Sequence, residues 1–129
     1  MIDTNKSIEE LEGDVWGEPA FGSYVITTCH RARKKPVRLL SNEEIKCLIG
    51  QKIGLKYLLP AAVDILKNEP LIDVTYFEGD FLLTLLRLEI SDWAYNQNEL
   101  KEFIRIIRDN RSQIEQCREI PGGLIEKYA

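Results

Sequence analysis

The stretch from Ser41 to Leu66, SNEEIKCLIGQKIGLKYLLPAAVDIL, decides the fold class. Ser41 and Glu44 have the spacing of a capping box, in which each side chain accepts a hydrogen bond from the backbone N–H of the other residue. Pro60 is expected in the first turn of a second helix, where its missing N–H forfeits no hydrogen bond; a kink inside an existing helix is the alternative. Apolar residues recur three and four positions apart, as on one face of a helix, at Ile45, Leu48, Ile49, Leu58, Leu59, Ala62, Ile65 and Leu66. The stretch therefore predicts two successive helices with buried faces.

Helix signals continue on both sides of this stretch. Before it, Ser7 and Ser23 have the position of helix caps. After it, Asp80 precedes an apolar run, and its carboxylate is expected to accept a backbone N–H at the start of that helix. Asn98 is expected to cap the longest amphipathic run, which reaches Ile114. We therefore predict an all-α fold in which residues 1–129 form a single compact helical domain of about five to seven helices, with Leu48, Ile49, Leu58 and Leu85 in its core.

Charge and composition narrow the class of protein. The 129 residues carry a formal net charge of −4, which argues against a protein whose main task is to hold a phosphate backbone. The basic run at positions 31–35 could contact nucleic acid, but acidic residues outweigh it elsewhere. No run approaches the roughly 20 uncharged apolar residues of a membrane span, and the N-terminus lacks the pattern of a secretory signal. We expect a cytoplasmic protein that binds neither nucleic acid nor a membrane.

The sequence lacks the sets of residues that catalysis or metal binding usually needs. His30 is the single histidine, which excludes a two-histidine metal site. Its neighbour Cys29 would point about 100° away on a helix, so the two do not form a nucleophile and its base. Cys29, Cys47 and Cys117 are far apart and lack C-x-x-C spacing, so we expect them to be small buried side chains. We expect no catalytic residue, metal or cofactor; a hydrolase or nuclease that uses His30 with carboxylates is the alternative.

An ordered set of short motifs runs from about position 7 to about position 95. The motifs are Trp16-Gly17-Glu18-Pro19, Thr28-Cys29, Arg33-Lys34-Lys35-Pro36, Leu40-Ser41-Asn42-Glu43-Glu44-Ile45, Leu48-Ile49-Gly50-Gln51, Gly54-Leu55, Leu58-Leu59-Pro60 and Tyr76-x-x-Gly79-Asp80-x-Leu82. In this order they resemble the immunity proteins of bacterial contact-dependent growth inhibition systems.

The resemblance implies a small helical protein that binds and neutralises the C-terminal toxin domain of the large effector made by the same system. Several such toxins are nucleases that cut RNA, including tRNA, so the implied partner is a nuclease, bound in a 1:1 complex. The chain would then be an inhibitor and not an enzyme. A helical adaptor or regulatory subunit that binds an endogenous protein is the alternative.

Aromatic side chains surrounded by acidic ones are typical of a protein-binding patch. Acidic groups would also speed the encounter with a basic nuclease. Structural alternatives remain, since Asp80 could only cap its helix, and Tyr76 and Trp93 could belong to the core. The candidates for the toxin-binding surface are Asp73, Tyr76, Glu78, Asp80 and Asp92, with Trp93 as an aromatic anchor.

Overall fold

The computed structural model describes residues 2–17 and 22–128. Within these ranges the chain forms eight α-helices: α1 (Ile8–Glu12), α2 (Tyr24–Ala32), α3 (Asn42–Gly50), α4 (Leu55–Asn68), α5 (Asp80–Leu86), α6 (Gln97–Asp109), α7 (Arg111–Glu115) and α8 (Gly122–Lys127). Two short 3-10 helices span Val37–Leu39 and Ile90–Trp93. The extended pairing found in the described ranges consists of two isolated bridges, Ser7 with Pro36 and Asp73 with Glu78. The all-α prediction is confirmed.

The number of helices in the described ranges exceeds the expected five to seven because the predicted run from Asn98 to Ile114 is divided. Asn110, with φ −118°, separates α6 from α7. Its side-chain amide donates to the carbonyl of Ile106 at 2.9 Å, which pairs a carbonyl near the end of the helix. The cap position of α6 belongs to Asn96, so the prediction that Asn98 caps this helix is wrong.

The favoured position of Pro60, in the first turn of a helix, is also wrong. Helix α4 starts before it, because the carbonyl of Gly54 already accepts hydrogen bonds from the N–H groups of Tyr57 and Leu58. Pro60 therefore lies inside the helix, where its ring removes one backbone hydrogen bond. Gly54 has φ +66°, and a Cβ there would lie 3.0 Å from side-chain atoms of Ile8. Glycine thus allows the close turn that starts the helix early.

The chain divides into two units, Met1–Leu58 and Leu59–Ala129, and the boundary falls inside α4. Each unit has buried apolar side chains of its own. The prediction of a single domain stays a prediction. The expected core residues Leu48, Ile49, Leu58 and Leu85 are all fully buried, which confirms their placement.

A buried arginine organises the first unit. The side chain of Arg33 is 1% exposed, and its Nη2 lies 2.8 Å from both a carboxylate oxygen of Glu12 and the carbonyl oxygen of Asp14. Its guanidinium carbon lies 3.8 Å from the ring centroid of Trp16. The carbonyl of Arg33 also accepts the N–H of Glu9 at 3.0 Å. Arg33 therefore holds the segment that follows α1 against the end of α2, with its charge paired as a buried cation requires.

An aromatic cluster fills the core of the second unit. The rings of Trp93 and Phe103 are stacked with centroids 4.9 Å apart, and Tyr128 meets Phe103 edge-on at 5.1 Å. The indole N–H of Trp93 donates to the hydroxyl of Tyr128 at 3.1 Å, and this hydroxyl donates to the carbonyl of Leu88 at 2.5 Å. The polar atoms of the cluster are therefore paired, as burial demands.

Candidate functional site

The loop before α5, residues 72–79, carries three of the predicted binding residues, and we call it the acidic loop. An antiparallel bridge pairs Asp73 with Glu78 across it. At its base, the N–H of Gly79 donates to the carbonyls of Leu71 at 3.1 Å and Ile72 at 3.3 Å. These bonds close the loop on itself, so its ends are held together by the backbone.

The side chain of Asp80 holds the acidic loop from inside. Asp80 is 3% exposed and is the first residue of α5. One carboxylate oxygen accepts the N–H of Val74 at 2.9 Å, and the other accepts the N–H groups of Thr75 and Tyr76, each at 2.8 Å. The expectation that this carboxylate caps its own helix is therefore wrong: the N-cap is Gly79, which has no side chain to bond, and the acceptor turns back to the preceding loop.

Gly79 allows the loop and the helix to meet at this close angle. Its φ of +91° is a left-handed conformation that glycine adopts without strain. A Cβ at this position would lie 3.2 Å from the side chain of Ile120 and 3.5 Å from that of Leu71. A larger residue would therefore strain the backbone and press on the core beneath the loop.

The structure places three of the six predicted binding residues together at the surface and the others elsewhere. Asp73 and Glu78 are exposed, and Tyr76, 74% exposed, stands between them on the acidic loop. Asp92 and Trp93 lie in the 3-10 helix Ile90–Trp93. The Asp92 carboxylate accepts the N–H of Glu89 at 2.8 Å, while Trp93 is fully buried in the aromatic cluster. The exposed part of the predicted set is therefore centred on Tyr76.

Sequence reasoning passed over a second exposed tyrosine in the same unit. Tyr95 is 82% exposed, and Ile90 is also exposed. Tyr95 lies in the turn between the 3-10 helix that ends at Trp93 and the start of α6 at Gln97. Helical periodicity does not apply to a turn, so the sequence carried no signal for the exposure of Tyr95.

The first unit has an open groove between α2 and α3, with a volume of about 360 Å³. Three of its charged groups have partners: Lys35 lies 2.9 Å from a carboxylate oxygen of Glu44, and the Tyr24 hydroxyl donates to Glu43 at 2.5 Å. The hydrogen bond to Glu43 raises the pKa of Tyr24 above its ordinary value. Such paired groups hold the two helices together. The groove is lined by Tyr24, Thr28, Arg31, Lys35, Ser41, Glu43 and Glu44.

Two features are absent from the part of the chain that the structure describes, a metal-binding cluster and a membrane-spanning helix. Among residues 2–17 and 22–128, no group of three or more His, Cys, Asp or Glu side chains is arranged to hold a metal ion. In the same part of the chain, no helix has the length and apolar character needed to cross a membrane.

Comparison with known proteins identifies the family. The family model of CDI immunity proteins, where CDI stands for contact-dependent growth inhibition, matches residues 10–103. No individually curated protein matches the chain. The matched region runs from α1 through the acidic loop and into α6; the motif residues Glu18 and Pro19 fall within it but outside the described residues. Because the match covers well over half of the chain, this protein belongs to the family of CDI immunity proteins.

Proposed function

We propose that this protein neutralises the toxin domain of a contact-dependent growth inhibition effector by binding it in the cytoplasm as a 1:1 complex. The observation that carries the proposal is the family match over residues 10–103. Inhibition by binding needs a stable scaffold and a complementary surface, and it needs no reactive group of its own. We therefore propose an inhibitor without catalytic activity or cofactor, which binds neither nucleic acid nor a membrane.

The acidic loop is the proposed contact surface. An exposed aromatic ring flanked by carboxylates has the composition of a binding hot spot, and Tyr76 stands between Asp73 and Glu78 in this way. The three backbone bonds to Asp80 order the loop before any partner arrives. An ordered loop loses less conformational entropy on binding, which favours affinity.

The six predicted residues then have different roles. Asp73, Tyr76 and Glu78 contact the toxin, and Asp80 acts as a positioning residue beneath them. We assign Asp92 and Trp93 to the 3-10 helix and the aromatic core, where their bonding partners lie.

The charge distribution favours a basic partner. Between residues 59 and 99 the sequence has eight Asp and Glu against two Lys and Arg, a local net charge of −6. A nuclease needs cationic side chains to hold a phosphate backbone. An acidic surface would speed the encounter with such a domain and could cover its substrate-binding cations. We therefore propose that the toxin is a nuclease, with RNA such as tRNA as its substrate.

The test uses the toxin domain encoded next to this gene. Wild-type protein should restore the growth of cells that express the toxin and should bind the purified domain with nanomolar or tighter affinity, about −12 kcal/mol. Tyr76→Ala should weaken binding at least tenfold, because removal of an aromatic hot spot costs about 2 kcal/mol or more. The control variant Tyr95→Ala removes an equally exposed tyrosine outside the acidic loop and should bind like wild type.

Two outcomes would count against separate parts of the proposal. Failure of the wild-type protein to bind the toxin or restore growth would reject the immunity function. Equal binding by the Tyr76 and Tyr95 variants, with the wild-type protein active, would reject the acidic loop as the contact surface. The double variant Asp73→Asn with Glu78→Gln should slow association chiefly at low salt, where charge steering is strongest.

A further inference from the structure

Two cysteines that are distant in sequence meet between α2 and α3. The sulfur atoms of Cys29 and Cys47 lie 3.4 Å apart, although the residues are 18 positions apart along the chain. Cys29 is 3% exposed, so the expectation that the cysteines are buried is confirmed for Cys29, and it is wrong for Cys47 and Cys117, which are both half-buried. Both members of the pair are free thiols.

We propose that Cys29 and Cys47 are a site of reversible oxidation, which forms an intramolecular disulfide when the protein meets a peroxide. Closing the bond requires the sulfur atoms to approach from 3.4 Å to about 2.05 Å, the length of a disulfide. Side-chain rotation with a small shift of one helix can supply this movement. The inference does not depend on the toxin-binding function, because it rests on a pair of thiols in the first unit.

The chemistry balances with hydrogen peroxide as the oxidant. The thiolate of Cys47, the more exposed sulfur, attacks one peroxide oxygen and breaks the O–O bond, which gives a sulfenic acid and hydroxide. The sulfur of Cys29 then attacks the sulfur of Cys47. The S–O bond breaks, the departing hydroxide takes the proton of Cys29, and water is released. Two thiols are oxidised by two electrons, and one peroxide is reduced to two waters.

The surroundings of the two cysteines determine which sulfur reacts with the peroxide first. Burial, with a smaller contribution from Cys47, raises the pKa of Cys29 to about 12, so Cys29 stays a thiol at neutral pH. The first oxidation therefore falls to Cys47, and Cys29 is the resolving thiol that lies within reach. Cytosolic disulfides, where they occur, are usually transient bonds of this redox-sensing kind.

The consequence is a covalent link between α2 and α3. Joining residues 18 positions apart restricts the unfolded chain, and the oxidised protein should melt roughly 5–15 °C higher than the reduced protein. The disulfide would stabilise the first unit against unfolding during oxidative stress.

The experiment compares the full chain before and after treatment with excess hydrogen peroxide. After alkylation and digestion, mass spectrometry should find the Cys29 and Cys47 peptides joined, with the chain lighter by two hydrogen atoms. Dithiothreitol should restore the original mass and melting temperature. Cys117, which lies in the other unit, is the internal control and should remain available for alkylation.

A variant distinguishes disulfide formation by this pair from general oxidation of the protein. Cys47→Ser changes the more exposed member and should lose both the linked peptides and the rise in melting temperature. Irreversible oxidation of Cys47 with Cys29 still open to alkylation would overturn the proposal. Formation of linked dimers alone, without the internal bond, would overturn it equally.

Discussion

Replacement of Asp80 by asparagine tests how the acidic loop is held. The change keeps the shape of the side chain but converts one carboxylate oxygen into an NH₂ group. One oxygen of Asp80 accepts two backbone N–H groups at 2.8 Å, from Thr75 and Tyr76. The amide of the variant can rotate so that its oxygen still accepts these two N–H groups, but its NH₂ group then faces the N–H of Val74, and that hydrogen bond is lost.

The expected loss of stability follows from this lost bond and from the loss of the acceptor's charge. A hydrogen bond to a charged group contributes about 1.5–3 kcal/mol to stability, and a buried donor left unpaired costs a similar amount. The bonds from Thr75 and Tyr76 can persist through the amide oxygen, but they weaken because this acceptor carries no charge. We therefore expect Asp80→Asn to lower the free energy of unfolding by about 2–4 kcal/mol, a large part of the stability of an ordinary domain.

The assay is denaturant unfolding combined with amide hydrogen exchange. The amide of Val74 should exchange faster in the variant because it loses its acceptor, and the amides of Thr75 and Tyr76 should exchange faster to a smaller extent because their acceptor loses its charge. The matched control is Asp73→Asn, which removes the same charge from an exposed position of the same loop. It should change stability by no more than about 0.5 kcal/mol. A loss below about 1 kcal/mol for Asp80→Asn, with unchanged exchange of these amides, would refute the role given to Asp80.

Two further predictions concern the first unit. Leu48→Ala should lower the free energy of unfolding by about 2–5 kcal/mol, because Leu48 is fully buried; the exposed Leu39→Ala is the control, and equal melting temperatures would contradict the assignment of the core. Burial raises the pKa of Glu44, but hydrogen bonds from Ser41 and Lys35 outweigh it, so its pKa lies below the ordinary 4.5. The Glu44 carboxylate therefore binds a proton more tightly in the unfolded chain than in the folded protein. The ionised carboxylate stabilises the fold above about pH 4.5, and this stabilisation is lost as the pH falls through the folded-state pKa. Glu44→Gln should flatten this acid-induced loss in urea titrations at a series of pH values, whereas parallel stability curves for the two proteins would disprove the linkage.

Part of the candidate site could be predicted from sequence because its members are close neighbours in the chain. Asp73, Tyr76 and Glu78 lie within six residues, so an acidic patch around a tyrosine was visible in the pattern of residue types. The role of Asp80 was not visible, since a carboxylate at a helix start can bond forward into the helix or back to the preceding loop. The fold of the loop around Gly79 selects the second arrangement.

The amino-acid sequence by itself determined the helical class and the local starts of several helices. The capping box of Ser41 and Glu44 forms as predicted, because both of its hydrogen bonds join residues three positions apart. Ser7, predicted as a helix cap, also caps its helix, in a capping box with Glu10. Interactions of this range depend on local backbone geometry, so a pattern of neighbouring residues is enough to predict them.

Only the tertiary structure decided which side chains from distant segments meet. Trp93 was a candidate anchor at the surface with the core as the alternative, and the structure selects the core: its ring packs on Phe103, and its N–H donates to Tyr128, 35 residues further along the chain. Cys29 and Cys47 come within 3.4 Å although their spacing matches no known cysteine motif. The physical reason is that burial depends on how helix faces pack together, and helical periodicity specifies which face is apolar without specifying which other face covers it.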